Sequence, residues 1–406
     1  MHLTRLSLTQ FRNFARLDVD VPDGTVLVVG DNAQGKTSIL EGIYFLATLT
    51  SFHADSDRQL VNFLEARNPV AVGRIVADYE RAGRKHRLEV RIIQESTRNG
   101  VARVRKEVLL DGTKKKLGEI VGHFNAVLFL PQMMGVIEGS PGDRRRYLDL
   151  ALSQVVPHYA ENLSEYNKVL SQRNALLKQL ADQGGDVSQL EFWDERLTLR
   201  GAEIIHNRIQ AIQEIDRHAG IIHHQLTRGS EVLRLDYQPA YDPVPSPANQ
   251  LSLLDIPIDR SSVSQEKIKT GFMRALEAIR REEIARGVTT IGPHRDELRF
   301  LSNGIDLGTY GSRGQVRTTM LTMKLAEVEW MQEQTGHKPV LLLDEVLAEL
   351  DHARREDLLN RVGSAEQALL TTTDLNLFHS DFVKQTHVWG INQGRLVEND
   401  ELGIQS

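Results

Sequence analysis

The chain contains no cysteine. A disulfide scaffold, a thiolate zinc site and a cysteine nucleophile are therefore excluded. Long hydrophobic runs are also missing, and no stretch approaches the ~18 consecutive apolar residues of a membrane helix. The opening MHLTRLSLTQFRNF has neither the apolar core nor the small-residue cleavage site of a secretion signal, so a cytoplasmic location is expected. An excess of positive charge is absent as well. Forty-nine Lys and Arg stand against 55 Asp and Glu, a formal net charge of −6. As an average, that speaks against a general nucleic-acid binder.

The 406 residues are 40% hydrophobic and 26% charged. This is ordinary globular composition, enough for two to three domains. His2 to Leu8 alternates like a half-buried strand, Pro22-Asp23-Gly24 reads as a turn, and Val26 to Val29 as a buried strand. A Gly-bounded loop and the helical run SILEGIYFLATL follow. Residues 70–110 read as an antiparallel meander, with turns at Ala82-Gly83, Asn99-Gly100 and Asp111-Gly112. From Arg144 to His224 the spacing is helical and broken at Gly184-Gly185. That predicts either a helical hairpin or two core helices of a bundle. A Pro-rich linker spans 239–258, and Lys267 to Arg286 is again helical. Beyond Gly287, strand and helix signals alternate: ELRFL, a helix from about Arg313 to Gln334, PVLLLDEV, a helix near Ala353 to Val362, QALLTTT and HVWGINQGRLV.

The strongest feature is Gly30-Asp31-Asn32-Ala33-Gln34-Gly35-Lys36-Thr37, with Ser38 following. It matches G-x-x-x-x-G-K-[ST], placed between an apolar strand and a helix. Glycines let backbone N–H groups face a phosphate chain, Lys36 neutralises its charge, and Thr37 offers a hydroxyl to Mg²⁺. The loop alone implies a nucleoside triphosphate. Its partner is Pro339 to Glu345, an apolar strand ending in two carboxylates. Asp344 suits the Mg²⁺ shell, and Glu345 suits a general base for the attacking water. About 310 residues separate the two motifs, so both ends of the chain must build one nucleotide domain. Tyr310-Gly311-Ser312-Arg313-Gly314-Gln315 opens a long helix and presents N–H groups, a hydroxyl and a dipole.

That last segment resembles the signature motif of the ATP-binding-cassette ATPases, and Ala348-Glu349-Leu350-Asp351 resembles their D-loop. The split head with a helical insert resembles the SMC-like branch, in particular its members acting in DNA replication and repair. The supporting segments are residues 6–14, 139–149 (GSPGDRRRYLD), 292–298 (GPHRDEL) and Thr371 to Asp374. Together they span nearly the whole chain. Arg313, His53, Ala348 and Asp374 depart from the usual pattern.

The resemblance implies an α/β fold: a split cassette-type P-loop ATPase head with an antiparallel β meander and an inserted, short coiled-coil-like helical arm. The expected boundaries are 1–143 and 291–406 for the head and 144–290 for the arm. It implies a DNA-stimulated ATPase using ATP and Mg²⁺. ATP would bring two heads together, with Ser312, Gly314 and Gln315 of one closing on the nucleotide of the other and Asp351 at the interface. Hydrolysis would release them. Arg12 is placed near a phosphate and Gln132 near the metal. The implied work is recombinational repair and replication-gap processing on double-stranded or gapped DNA. It would involve RecR (with RecO) type mediator proteins, RecA loading and the SOS response, without membrane partners. The alternatives are a transport ATPase subunit, a kinase-like phosphotransferase, and an SMC-like module that binds ATP without turnover.

The acidic total hides a division. Residues 1–150 hold 22 basic and 18 acidic residues, and residues 81–116 alone hold 12 and 4. Candidate DNA contacts are therefore Arg84, Lys85, Arg87, Arg103, Arg105, Lys106, Lys114, Lys115 and Lys116, with Arg144, Arg145 and Arg146. A soluble sheet with basic edges and a solvated helix face read the same residues blandly. His223-His224 is expected to be an exposed pair.

Overall fold

In the computed structural model of the chain, the described residues are 1–96, 102–244 and 258–397. The expected turn at Asn99-Gly100 and most of the Pro-rich stretch lie outside them. The chain divides into two compact units. One comprises Met1–Met133 and the chain from Glu327 onward, and the other is Met134–Ala326.

The first unit carries two six-stranded sheets. In one, the strand Gly24–Val29 lies between His387–Asn392 and Gln367–Thr372. Val340–Asp344 and Ala126–Phe129 follow on the Gln367–Thr372 side, and every one of these pairs is parallel. The antiparallel strand Arg395–Val397 closes the other edge. Phosphate loop and acidic pair thus emerge at the same, carboxyl, end of two parallel strands separated only by Gln367–Thr372, where ligands bind in such sheets.

The other sheet is the expected meander, enlarged: Phe14–Asp20, His2–Phe11, Val70–Arg81, Arg84–Ser96, Ala102–Leu110 and Thr113–Lys115, in that spatial order. Arg81 pairs with Arg84, and Leu110 with Thr113, so each turn has two residues. Ala82, Gly83, Asp111 and Gly112 all have positive φ, as the tight hairpin turn matching strand twist requires.

One apolar core takes side chains from both sheets and from the helix Lys36–Thr48, among them Leu8, Ile43, Phe45, Ile75, Val90 and Leu342. Each contributes roughly 1.5–3 kcal/mol by leaving water. Buried Gln367 links the sheets. Its amide oxygen accepts from Leu3 N–H (2.8 Å), and its Nε2 donates to the carbonyls of Leu3 (2.9 Å) and Pro22 (3.0 Å).

The second unit holds the helices Pro141–Val155, Tyr159–Gln183, Leu190–Leu226 and Gln265–Arg286, and a three-stranded antiparallel sheet. Both expected helices are present and pack together, the 37-residue second one being about 55 Å long at ~1.5 Å per residue. The helix Gln265–Arg286 packs against both members of the pair. Inside this group Arg173 is fully buried. It is paired with Asp194 and Glu283, both at 2.7 Å, and bonded to Thr289.

The units divide elsewhere than at residues 143 and 290. Strand Glu297–Ser302 pairs with Leu233–Gln238 from Glu297↔Gln238 to Ser302↔Leu233, which binds the segment after 290 into the second unit. Among the strands unread in the sequence, the longer ones are Phe14–Asp20, Ala126–Phe129 and Leu233–Gln238. The second is four apolar residues, too short for periodicity to separate strand from helix. His223 is not exposed but wholly buried, bonded to Thr322 (3.0 Å) and paired with Glu231 (3.2 Å); only His224 faces solvent.

Candidate functional site: a phosphate loop facing two carboxylates

Gly35 holds the phosphate loop in its curl. Its φ is 119°, and a Cβ there would lie 2.6 Å from Asn13 Nδ2 and 3.0 Å from the Phe14 ring. A Cβ on Gly30 would lie 2.4 Å from the Ile391 carbonyl oxygen. The loop is pinned through Gln34, whose carbonyl accepts from Asn13 and Gly394 (3.0 Å each). The helix that follows starts at Lys36 with no side-chain cap. Its first N–H groups and its dipole are thus offered to an anion.

Lys36 is 4% exposed. Its Nζ donates to the carbonyls of Gly30 (2.7 Å) and Asp31 (3.0 Å) and lies 3.1 Å from Glu345 Oε1. Thr37 Oγ1 is 3.0 Å from each carboxylate oxygen of Asp344. Two motifs some 310 residues apart in sequence are therefore in direct contact. Asp344 also accepts from Thr371 Oγ1 (2.7 Å), and that hydroxyl accepts from Glu345 N–H (3.1 Å). Burial raises the Asp344 pKa, against the hydrogen bonds from Thr371 and Thr37. A divalent cation would reverse that penalty, so this donor set fits Mg²⁺. Glu345 adopts the left-handed region (φ 52°).

Lys36, Thr37, Asp344 and Glu345 line a cavity of about 720 Å³ that also takes in Asn32, Ala33, Ser38, Gln132 and His53. Phe52, Val61, Phe63 and Leu130 supply an apolar wall. Arg12 lines it too, with its guanidinium already engaged. It donates to both Glu41 oxygens (2.6 Å each) and to the Gln59 carbonyl (3.0 Å). Sequence reasoning missed Glu41 and Thr371. A glutamate inside an apolar helical run needs a buried partner, and Thr371 is opposite Asp344 in the parallel register.

In the second unit the Ser312 segment forms its own cap. Ser312 N–H donates to Gln315 Oε1 (3.0 Å), and Gln315 N–H donates to Ser312 Oγ (3.3 Å). Gln315 Nε2 also donates to Glu231 (3.3 Å). Asp351, in the first unit, caps the helix His352–Gly363 by accepting from Arg354 N–H (3.0 Å).

The basic candidates separate. Lys85 pairs with Glu80, Arg87 with Asp78, Arg105 with Glu107 and Glu95, and Lys114 with Glu107. Lys106 is tucked inward against Asp57, the Leu49 carbonyl and the Phe45 ring. Arg84, Arg103, Lys115 and Lys116 are exposed and have no carboxylate partner among the described residues. In the second unit Arg144 is held by Glu297 (2.6 and 2.9 Å) and Arg145 by the Asp296 carbonyl (2.7 Å), while Arg146 is exposed.

With this geometry in place, likeness to known proteins is decisive. The RecF/RecN/SMC N terminal domain family matches residues 2–393. The DNA replication and repair protein RecF of Roseiflexus castenholzii is 37% identical over 98% of this chain and 99% of its own length. RecF of Chloroflexus aggregans is 38% identical with the same coverage. The chain belongs to the RecF family. A solved structure of the recombination mediator protein RecF with ATP, in the RecFOR pathway, matches this RecF-family chain with a TM-score of 0.79 and 29% identity over 97% of this chain and 98% of that one. A second, RecF-ATPrS, gives 0.81 at 29% identity and 97% of each chain. The split ATPase-head fold read from the motifs is thereby shown. The transport and phosphotransferase readings have no such support.

Proposed function

We propose that the first unit binds and hydrolyses ATP with Mg²⁺, and that ATP drives two copies of the chain together on DNA during recombinational repair and replication-gap processing. The contact of Lys36–Thr37 with Glu345–Asp344 carries this reading. Lys36 and the N–H groups at the start of its helix bind the phosphates, because the helix has no cap of its own. Thr37 and Asp344 hold Mg²⁺, with Gln132 on the cavity wall beside them. When bound, the metal supplies Lewis-acid stabilisation of developing phosphate charge. Glu345 takes the proton of the attacking water, being half-exposed at the cavity edge and next in chain to the metal carboxylate.

Ser312, Gly314 and Gln315 serve the nucleotide of a second copy, with Asp351 at that interface. The reciprocal Ser312–Gln315 cap supports this, since it fixes the serine at a helix start. Hydrolysis releases the pair. DNA, double-stranded or gapped, stimulates turnover through the exposed basic residues of the meander and Arg146. RecFOR-pathway relatives support mediator partners of the RecR (with RecO) type, and with them RecA loading and the SOS response.

The test is ATP turnover with and without double-stranded DNA across a salt series, beside two variants. Lys36→Ala loses ATP binding. Ser312→Arg keeps binding and loses ATP-driven dimerisation. A DNA effect must weaken with salt if phosphates are contacted. Turnover indifferent to DNA at low salt, or dimerisation that survives Ser312→Arg, overturns the clamp reading.

A further inference from the structure

We propose that His352, Glu356 and His379 form a zinc site on the first unit, separate from the nucleotide cavity. Among the described residues, this is a group of three potential ligands whose donor atoms all lie within 4.8 Å of one another. His352 and Glu356 are one turn apart on the helix His352–Gly363, and His379 immediately precedes the helix Ser380–Lys384. Glu356 Oε1 is 3.8 Å from His352 Nδ1 and 3.5 Å from His379 Nε2. Tetrahedral zinc with bonds of ~2.0–2.1 Å needs ligand atoms about 3.3 Å apart, so modest side-chain shifts close the site. The three side chains are 49–73% exposed and free to make them. No Lys or Arg pairs with Glu356 among the described residues, so the carboxylate has no competing cation.

The chemistry selects the ion. Two imidazoles and one carboxylate suit zinc and its neighbours, whereas Mg²⁺ and Ca²⁺ demand oxygen donors in larger number. Three protein ligands leave a fourth position to water. An exposed site that must order three side chains holds its metal reversibly.

Its position gives it consequence. The helix bearing His352 and Glu356 is fastened to the segment after Glu345: Arg355 donates to the Leu347 (3.3 Å) and Leu350 (3.2 Å) carbonyls. His379 follows the strand that carries Thr371 by a short loop. Zinc staples together the two segments that leave the carboxyl ends of the strands holding Asp344 and Thr371.

The experiment titrates Co²⁺, as a coloured stand-in for zinc, into the full, untagged, chelator-treated chain without nucleotide, so it is independent of the ATPase reading. One equivalent binds with visible d–d absorption, and Zn²⁺ displaces it. His352→Ala, Glu356→Ala and His379→Ala each weaken binding at least about 10-fold, since even removing a group that only supports a ligand costs 10–100-fold. His224→Ala, an exposed histidine elsewhere, leaves it unchanged. Zinc raises the thermal midpoint of the parent chain and not that of His379→Ala. Absence of the absorption in the parent chain, or parental affinity in any one of the three variants, overturns the site.

Discussion

Replacing Glu345 with glutamine separates two roles that the geometry gives one carboxylate. Its oxygen lies 3.1 Å from Lys36 Nζ, so it is a counter-charge for the lysine proposed to bind phosphate. In the proposed reaction it also follows Asp344, the carboxylate proposed to hold the metal, and acts as the base for the attacking water. As a counter-charge its worth is bounded: the side chain is 40% exposed, and a solvent-screened pair contributes at most about 1 kcal/mol. Losing it frees Lys36 for phosphate and changes ATP affinity by no more than about fivefold. Losing a general base costs about 10²–10⁴-fold in rate, or roughly 3–5 kcal/mol. The two effects differ by more than an order of magnitude and fall on different constants. The assay is single-turnover hydrolysis at saturating ATP and Mg²⁺, with equilibrium ATP binding measured on the same protein. Glu345→Gln is expected to bind ATP as well as the parent or better, and to lose at least about 100-fold in the chemical step. A variant whose turnover stays within about fivefold, the size of the screened pair alone, refutes the base assignment.

Arg208 is buried between Asp149 and Asp296, each at 2.8 Å. Arg208→Met is expected to destabilise the chain by about 3–5 kcal/mol in urea unfolding, because it strands buried carboxylates; a loss under about 1 kcal/mol contradicts the network. His294 is held neutral by burial, its pKa lowered to about 4, with Tyr166 OH (2.7 Å) and the Thr289 carbonyl (3.2 Å) as partners. Its contribution is present above about pH 6.5 and is lost as pH falls toward 4, up to roughly 3 kcal/mol; His294→Gln should flatten stability in that window, and an unchanged profile sinks the assignment. Lys115→Ala and Lys116→Ala should each lower the salt slope of DNA binding by about 1. Lys106→Ala, whose ammonium is held by Asp57, should leave it alone, and an unchanged slope in both the Lys115 and Lys116 variants would show that the exposed lysines make no phosphate contacts.

The nucleotide end of the fold was readable because its constraints are local. A phosphate loop needs glycine at fixed positions, and Gly35 at φ 119° shows why no other residue serves. Asp344 and Glu345 were readable because a buried strand has few ways to end in two acids. Glu41 and Thr371 were not, since their meaning lies in partners brought by other strands. His223 was misread for the same reason. A His-His pair near a helix end looks solvated until Glu231 and Thr322, distant in sequence, close over one of the two. The charge count failed in another way. It found the basic stretch at 81–116 but could not see that Glu80, Asp78, Glu95 and Glu107 stand across or beside those residues in the sheet. Pairing takes up part of the excess and leaves Arg84, Arg103, Lys115 and Lys116 exposed.

Two of the segments that carry the family resemblance, the arginine run at 144–146 and GPHRDEL at 292–298, bind each other. Arg144 grips Glu297 with two hydrogen bonds, and Arg145 donates to the Asp296 carbonyl. Asp296, 1% exposed, is bonded in turn to Arg208, Tyr237 and the Ala240 N–H. An arginine whose donors are spent on a part-buried carboxylate and on carbonyls has few left for a phosphate, and freeing Arg144 would leave Glu297 without its arginine partner. These residues form a self-complementary polar core. Such a core tolerates few substitutions because each member satisfies another. Of the three arginines, only Arg146 is exposed, so under the proposed DNA reading the candidate surface lies on the meander at Arg84, Arg103, Lys115 and Lys116 rather than on this motif.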